Sequence, residues 1–294
     1  MEGIAPNATG CAGTRSARTR YRGRIARARR SGYLLRMQLA YRSLGGEGAP
    51  VVILHGLFGS AQNWTGTGRR LAGRGAVFAL DLRNHGDSPH APTLSLSDCV
   101  EDLRAWAAAH ASAPLRLIGH SLGGLVSMGF AIAHPEMTAG LVSIDIAPRA
   151  YPVGHQSEFR ALRTDLSGCV SRAEVEARIA EAVPDARTRQ FLATNAVREG
   201  SGFRWRLNVD ALERQTVAAD LARAEGRFDG EALLVACGRS PYVRQEDQAL
   251  MRARFPKAGI ETIPDADHWP HVTAPDELFR ILDGFLSRVD GAMQ

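Results

Sequence analysis

The string Gly119-His120-Ser121-Leu122-Gly123 is the first place where residue type and spacing suggest chemistry. It reads G-x-S-x-G, follows an apolar run at 115–118 and opens a helical pattern at 122–133. A strand-to-helix turn sharp enough to lift a side chain clear brings backbone close on both sides. Small residues are therefore needed two before and two after the serine. Such a turn exposes the Ser121 hydroxyl at the top of a sheet and aims the following helix N-terminus at any anion formed there. An ordinary Gly-rich turn is the alternative reading.

A hydroxyl is a weak nucleophile and needs a base that is itself held by an acid. His268, in Asp265-Ala266-Asp267-His268-Trp269 after the last apolar run, is the expected base, with His271 its nearest competitor. The turn Cys237-Gly238-Arg239-Ser240 offers no carboxylate, and Ser240 cannot orient an imidazolium by charge. Asp145 ends the run at 140–145, and strand carboxyl ends share one rim, so Asp145 is the expected acid. Asp265, Asp267 and Asp247 stand as alternatives. The order Ser…Asp…His is the hydrolase order. Two backbone amides, those of Leu57 and Leu122, are expected to hold the oxyanion, because His55-Gly56-Leu57-Phe58-Gly59-Ser60 is a glycine turn after a strand. Phe58, Trp269 and Arg206 are candidates for the substrate pocket. The loop 81–88 is expected to be pinned by an internal Asp81–Arg83 pair, with substrate contact the alternative. Cys237 reads as a small core residue.

These residues need a frame that brings distant segments together. Apolar runs at 51–55, 76–80, 115–119, 140–145, 232–237 and 260–263 read as strands, with an edge strand at 33–41. Helical patterns cover 64–71, 96–109 (Ser97 a candidate cap), 122–133 and 275–289. Alternating strands and helices imply right-handed crossovers and a mostly parallel sheet, an α/β class. Residues 150–228 break the alternation with helical patterns only. One helix starts at the capping box Ser171-x-x-Glu174 and stops before Pro184, one runs from Asp185 to Gly200, and one covers 207–225. An insertion of that size is expected to be a lid over the strand ends. The core is then 33–149 and 229–294.

Composition limits the classes. Hydrophobic residues are 45% and charged residues 23% of the 294, globular values that exclude a wholly disordered chain. No apolar run is long enough for a transmembrane helix. The four cysteines are scattered with no paired spacing, which argues against a zinc site or disulfide framework and suits a cytoplasmic, reducing compartment. The net charge of +5 comes from one place: residues 1–36 hold nine arginines against a single acid, Glu2, and the remainder is mildly acidic. The basic segment 1–32 is expected to be an unstructured extension, with Met37 a candidate start. A targeting role or binding to nucleic acid or anionic membrane are the alternatives. No nucleic-acid partner is expected on this reading, and no metal or organic cofactor. A monomer or a homodimer both fit.

The chain resembles the α/β-hydrolase superfamily, and within it the YbfF-type bacterial esterases, which are similar to the abhydrolase-domain 11 proteins. The likeness runs from about 37 to 286. It rests on His55-Gly-Leu-Phe-Gly-Ser60, Asp81-x-Arg-Asn-His-Gly-x-Ser88, Gly119-His-Ser-Leu-Gly-Gly124, Ile144-Asp-Ile-Ala-Pro148, Arg239-Ser-Pro-Tyr-Val243 and His268-Trp269. The resemblance implies acyl-ester or thioester hydrolysis, supports Asp145 as the acid and makes Ser240 an auxiliary group at the acid. The chain departs from the group at Ala266-Asp267, where Ala-Gly is usual, and in its basic extension. The expected activity is a serine carboxylesterase working through an acyl-enzyme. A lactonase, thioesterase or cofactor-free perhydrolase on the same triad is the enzymatic alternative, and a non-catalytic binding or scaffold protein the other.

Overall fold

Short β-branched and leucine-rich runs assemble the sheet that carries the site. The structure is a computed structural model that describes residue 1, residues 37–152 and residues 154–292. Residues 2–32 of the basic segment, Cys11 among them, and the first residues of the expected edge strand lie outside the described residues. In chain order the strands are β1 (Tyr41–Gly45), β2 (Pro50–Leu54), β3 (Ala76–Leu80), β4 (Leu115–His120), β5 (Thr138–Ile144), β6 (Ala196–Glu199), β7 (Gly202–Trp205), β8 (Glu231–Cys237) and β9 (Ala258–Ile263). The helices are α1 (Thr65–Arg70), α2 (Leu96–His110), α3 (Leu122–Ala133), α4 (Gln156–Leu162), α5 (Arg172–Arg178), α6 (Ala186–Ala193), α7 (Val209–Glu213), α8 (Val217–Arg223), α9 (Asp247–Arg254), α10 (Pro270–Thr273) and α11 (Pro275–Ala292).

Seven strands pair in the order β1-β3-β2-β4-β5-β8-β9, all parallel except β1, which runs antiparallel to β3. The sheet is apolar on both faces, as a covered parallel sheet must be. Val52, Leu54, Leu117, Leu141 and Leu234 point into a core shared with α2, α3 and α8. Val51, Ile53, Ile118, Val142 and Val235 point the other way, into a core built with Trp64, Leu282 and Phe285. The chain leaves β2 for β3 on one side and reaches β4 on the other. This reversal opens a crevice at the carboxyl ends of β2 and β4.

Several expected boundaries move. The edge strand lies at Tyr41–Gly45 rather than 33–41, because its register is set by β3: Tyr41 pairs with Leu80 and Ser43 with Phe78. Leu39 turns into the core instead. Helix α2 is capped by Ser95, whose side chain accepts from the Asp98 amide, not by Ser97. Between β5 and β8 the chain is not wholly helical. The helix from Asp185 ends at Ala193, and β6 and β7 form an antiparallel hairpin through Gly200, whose φ is +60°. The segment 207–225 is two short helices, α7 and α8, rather than one.

The expected Asp81–Arg83 pair does not form. Arg83 turns toward α2 and grips Asp102 with two hydrogen bonds of 2.6 and 2.8 Å, with Asp98 at 3.1 Å. Asp81 instead accepts from the backbone amides of Ala61 and Asp87 at 2.7 and 2.8 Å. Both partners of the Arg83–Asp102 pair are buried, so removing one strands the other. Arg83→Met is expected to cost about 3–5 kcal/mol of stability, measured by urea unfolding. A loss within error of zero would show that Asp102 finds solvent.

Candidate active site

The turn between β4 and α3 has the geometry its glycines demand. Ser121 sits at φ +51°, ψ −119°, a conformation that costs energy in a residue with a Cβ. A Cβ on Gly119 would lie 2.3 Å from the Gly123 carbonyl oxygen, and one on Gly123 would lie 2.3 Å from that of Leu54. Only glycine fits either place. The Ser121 amide donates to the Ile144 carbonyl at 3.0 Å, which ties this turn to the end of β5.

The next residue after Ile144 is Asp145, with φ +52° and no exposed surface. Its amide donates to the Val235 carbonyl at 2.7 Å, so β8 holds it from the other side. Its Oδ1 accepts from the Cys237 amide at 3.2 Å. Its Oδ2 accepts from the Ser240 hydroxyl and from His268 Nδ1 at 2.7 Å. His268 follows β9, and its Nε2 is 3.1 Å from Ser121 Oγ. The three expected side chains thus form one continuous chain of contacts. The rivals are engaged elsewhere: Asp247 pairs with Arg149 at 3.0 Å, Asp267 with Arg187 at 2.5 Å, and Asp265 is exposed. His271 stacks on Trp64, with ring centroids 4.5 Å apart.

The glycine turn after β2 is held rigidly. His55 donates from Nδ1 to the Gly56 carbonyl at 2.8 Å and accepts the Leu82 amide at Nε2, 3.0 Å away. This pairing needs the neutral ring, and burial pushes His55 down to about 4. Phe58 adopts φ +63°, and its carbonyl accepts from Asn195 Nδ2 at 2.8 Å. Asn195 comes from the segment between β5 and β8, as does Asn208, which donates to the Asn84 side chain at 3.1 Å. Nothing in the sequence marked Asn195, and Asn208 stood out only as a neighbour of Trp205 and Arg206: an asparagine in a polar segment looks like any surface residue until its partner is known. The Leu122 amide is the first of α3 and so has no intrahelical acceptor.

Two cavities open on Ser121. One, of about 220 Å³, is bordered by His268, Trp269, Phe58, Phe191 and Leu192. The other, of about 420 Å³, is bordered by Leu122, Leu125, Ile146, Phe159 and Leu212. Leu57, His155 and Tyr242 border both. Phe58 and Trp269 border the first of these cavities. Arg206 borders neither of the two. Its guanidinium reaches Asp87 at 3.1 Å and its carbonyl accepts from His90 at 2.8 Å, so it serves the junction between two loops. Trp205 beside it donates to the Thr164 carbonyl and packs in a small satellite core. Among the described residues no cluster has the makeup of a metal site, and no helix is long and apolar enough to cross a membrane.

Four further histidines line this region in neutral form. Burial lowers His55 and His271 to about 4, His85 to about 3, and His120 well below the usual imidazole range. In the unfolded chain each titrates near 6.5, so over the interval between the unfolded chain binds more protons. Stability therefore rises with pH through that interval and is lost on acidification. The urea midpoint is expected to climb between pH 5 and 6.5, above most carboxylate titrations, and more shallowly in His271→Gln. A flat profile would mean these rings are solvated.

The profile of the alpha/beta hydrolase family matches residues 51–281. The mouse sn-1-specific diacylglycerol lipase ABHD11 is 32% identical over 263 residues, covering 85% of this chain and 86% of its own length. Esterase YbfF of Escherichia coli K12 is 32% identical over 241 residues, covering 81% of this chain and 93% of its own length. Among solved structures, a marine microorganism esterase superposes with a TM-score of 0.80 at 32% identity, covering 85% of this chain and 99% of that one.

Proposed function

Since the chain belongs to the alpha/beta hydrolase family, we propose that it hydrolyses carboxylic esters through an acyl-enzyme on Ser121. The observation that carries this reading is the unbroken contact from Ser121 Oγ to His268 Nε2 (3.1 Å) and from His268 Nδ1 to Asp145 Oδ2 (2.7 Å). Ester cleavage is favoured over the lactone, thioester and perhydrolase readings by the relatives, which are named as an esterase and a lipase.

Ser121 Oγ attacks the acyl carbon as its proton passes to His268 Nε2. Asp145 keeps the other ring proton on Nδ1, which leaves Nε2 free to accept, and its charge stabilises the imidazolium. The negative oxygen of the tetrahedral adduct meets the amides of Leu57 and Leu122. Each such donor is worth about 3–4 kcal/mol of barrier when held rigid. The His55, Asn195 and Gly59 contacts around residues 56–58 provide that rigidity. His268 returns its proton to the departing alcohol oxygen, the C–O bond breaks and the alcohol leaves. Water then loses a proton to His268 and attacks the acyl carbon; the Ser121 Oγ–acyl bond breaks, His268 returns the proton to Oγ, and the acid leaves. Ser240 donates to Asp145 without touching the imidazole proton path. It helps fix the carboxylate.

The segment 150–228 acts in this reading as a lid. It supplies Phe159, Phe191, Leu192 and Leu212 to the two cavities, excluding water and shaping the space for the acyl and alcohol portions.

Ser121→Ala is expected to abolish p-nitrophenyl ester turnover and fluorophosphonate labelling while leaving the circular dichroism spectrum unchanged. Asp145→Asn is expected to lower kcat by about 10³–10⁴. Near-normal rates in Asp145→Asn together with a dead Asp265→Asn would overturn the acid assignment. A wild-type protein that takes no label and turns over no ester, lactone or acyl-thioester would favour a binding role.

A further inference from the structure

Tyr242 donates and accepts no proton in the scheme above, yet it is fixed against its centre. Its ring lies face to face with the His268 imidazole, centroids 4.0 Å apart and planes 19° from parallel. Three separate ties hold it there. Its amide donates to Ser240 Oγ at 3.3 Å, and that same hydroxyl donates to Asp145. Its carbonyl accepts from the Tyr151 hydroxyl at 3.0 Å and from Arg149 Nη2 at 3.2 Å. Its phenol oxygen meets His155 Nε2 at 3.3 Å, and His155 Nδ1 lies 3.6 Å from Glu158. Pro241, between Ser240 and Tyr242, fixes one backbone torsion of this short loop. The loop therefore presents a hydroxyl to the carboxylate and an aromatic face to the ring that the carboxylate holds.

The two in-plane contacts of His268, to Ser121 and Asp145, leave its ring free to tilt out of their common plane. A parallel aromatic ring at 4.0 Å opposes that tilt. The face of a phenol ring also carries negative charge density, which attracts a cation placed over it. In the proposed cycle the His268 ring gains a positive charge when it takes the serine proton. An attraction that grows with this charge lowers the barrier rather than strengthening resting binding.

We propose that Tyr242 is a positioning residue that clamps His268 by its face and stabilises the imidazolium formed during turnover. This rests on the hydrolase reading, since it needs His268 to become charged. The other charged and titratable groups around His268 are Asp145 at Nδ1, Asp267 with its partner Arg187, and the neutral rings of His120 and His271. His155 meets the Tyr242 phenol, Glu158 meets His155, and both border the same cavity as His268. Burial raises the Tyr242 phenol above its ordinary range, so the ring faces His268 as the neutral phenol.

The test compares Tyr242→Leu and Tyr242→Met, which remove the aromatic face, with Tyr242→Phe, which keeps it and loses only the His155 contact. Without the face the imidazolium is less favoured, so the base stays neutral to lower pH. The acidic limb of kcat/KM is expected to move down by about half a pH unit in the Leu and Met variants, with kcat falling about 3–10-fold. Tyr242→Phe is expected to restore both. The imidazole titration of His268 is followed in parallel by NMR in the Ser121→Ala protein, identified by its loss in His268→Ala. That readout needs no turnover. An unmoved limb and titration in an active Leu or Met variant would overturn the proposal. So would equal shifts in Phe and Leu, which would assign the effect to the hydroxyl. A wild-type protein without hydrolase activity whose His268 titration still shifts in Tyr242→Leu would uphold the stack and remove the hydrolase reading.

Discussion

Strands β2, β4, β5 and β8 end close together on one rim of the sheet, and the register of their pairing decides everything that happens there. Leu54 is level with Gly119, His120 with Ile144, and Ile144 with Val235. Residues that leave these strands one step later are therefore neighbours, although tens of residues separate them along the chain. Backbone hydrogen bonds extend the ladder one residue past the strands: Ser121 to Ile144, and Asp145 to Val235. Slipping any of these strands by one residue would turn its side chains to the opposite face and separate hydroxyl from imidazole. The apolar packing on both faces of the sheet is what makes such a slip costly.

Backbone strain is gathered at the rim. Phe58, Ser121 and Asp145 all have positive φ without being glycine, and each stands at a strand end that faces the crevice. The surrounding bonds over-determine these conformations: Asn195 grips the Phe58 carbonyl, the Gly119–Gly123 approach leaves Ser121 no other path, and Val235 and Cys237 hold Asp145 at both amide and carboxylate. The buried histidines around the site belong to the same design. A neutral imidazole can donate at one nitrogen and accept at the other, and His55 does both to join the loop after β2 to the loop after β3. His120 donates from Nε2 to the His268 carbonyl at 2.7 Å, so His268 is anchored by its backbone as well as its ring.

The segment between β5 and β8 is joined to the core by polar contacts at selected points. Asn195 binds the loop after β2 and Asn208 the loop after β3, while His155 meets Tyr242 beside His268. Each tie fixes a group that borders or supports the crevice. The position of this segment and the shape of the site are therefore coupled through directional bonds, with its apolar side chains bordering the two cavities.

Much of this was legible in the chain itself. The run of β-branched and leucine residues in each parallel strand, the helical period of 122–133 and the glycine spacing about Ser121 are local patterns, and local patterns report local structure. The expectation that Asp145 reaches His268 also came from the sequence, because the turn at 237–240 lacks a carboxylate and strand ends share a rim. What the sequence left open depends on partners distant in the chain. The edge strand moved to 41–45 because β3 sets its register, and Arg83 pairs with Asp102 of α2 while backbone amides of Ala61 and Asp87 occupy Asp81. The hairpin at 196–205 was hidden by strands only four residues long, although Gly200-Ser201 between Val197 and Phe203 carries a turn signal. Arg206, Asn195 and Tyr242 could not be placed at all from composition or period. A side chain's function in such cases is fixed by which backbone group or ring it meets, and only the folded chain determines that meeting.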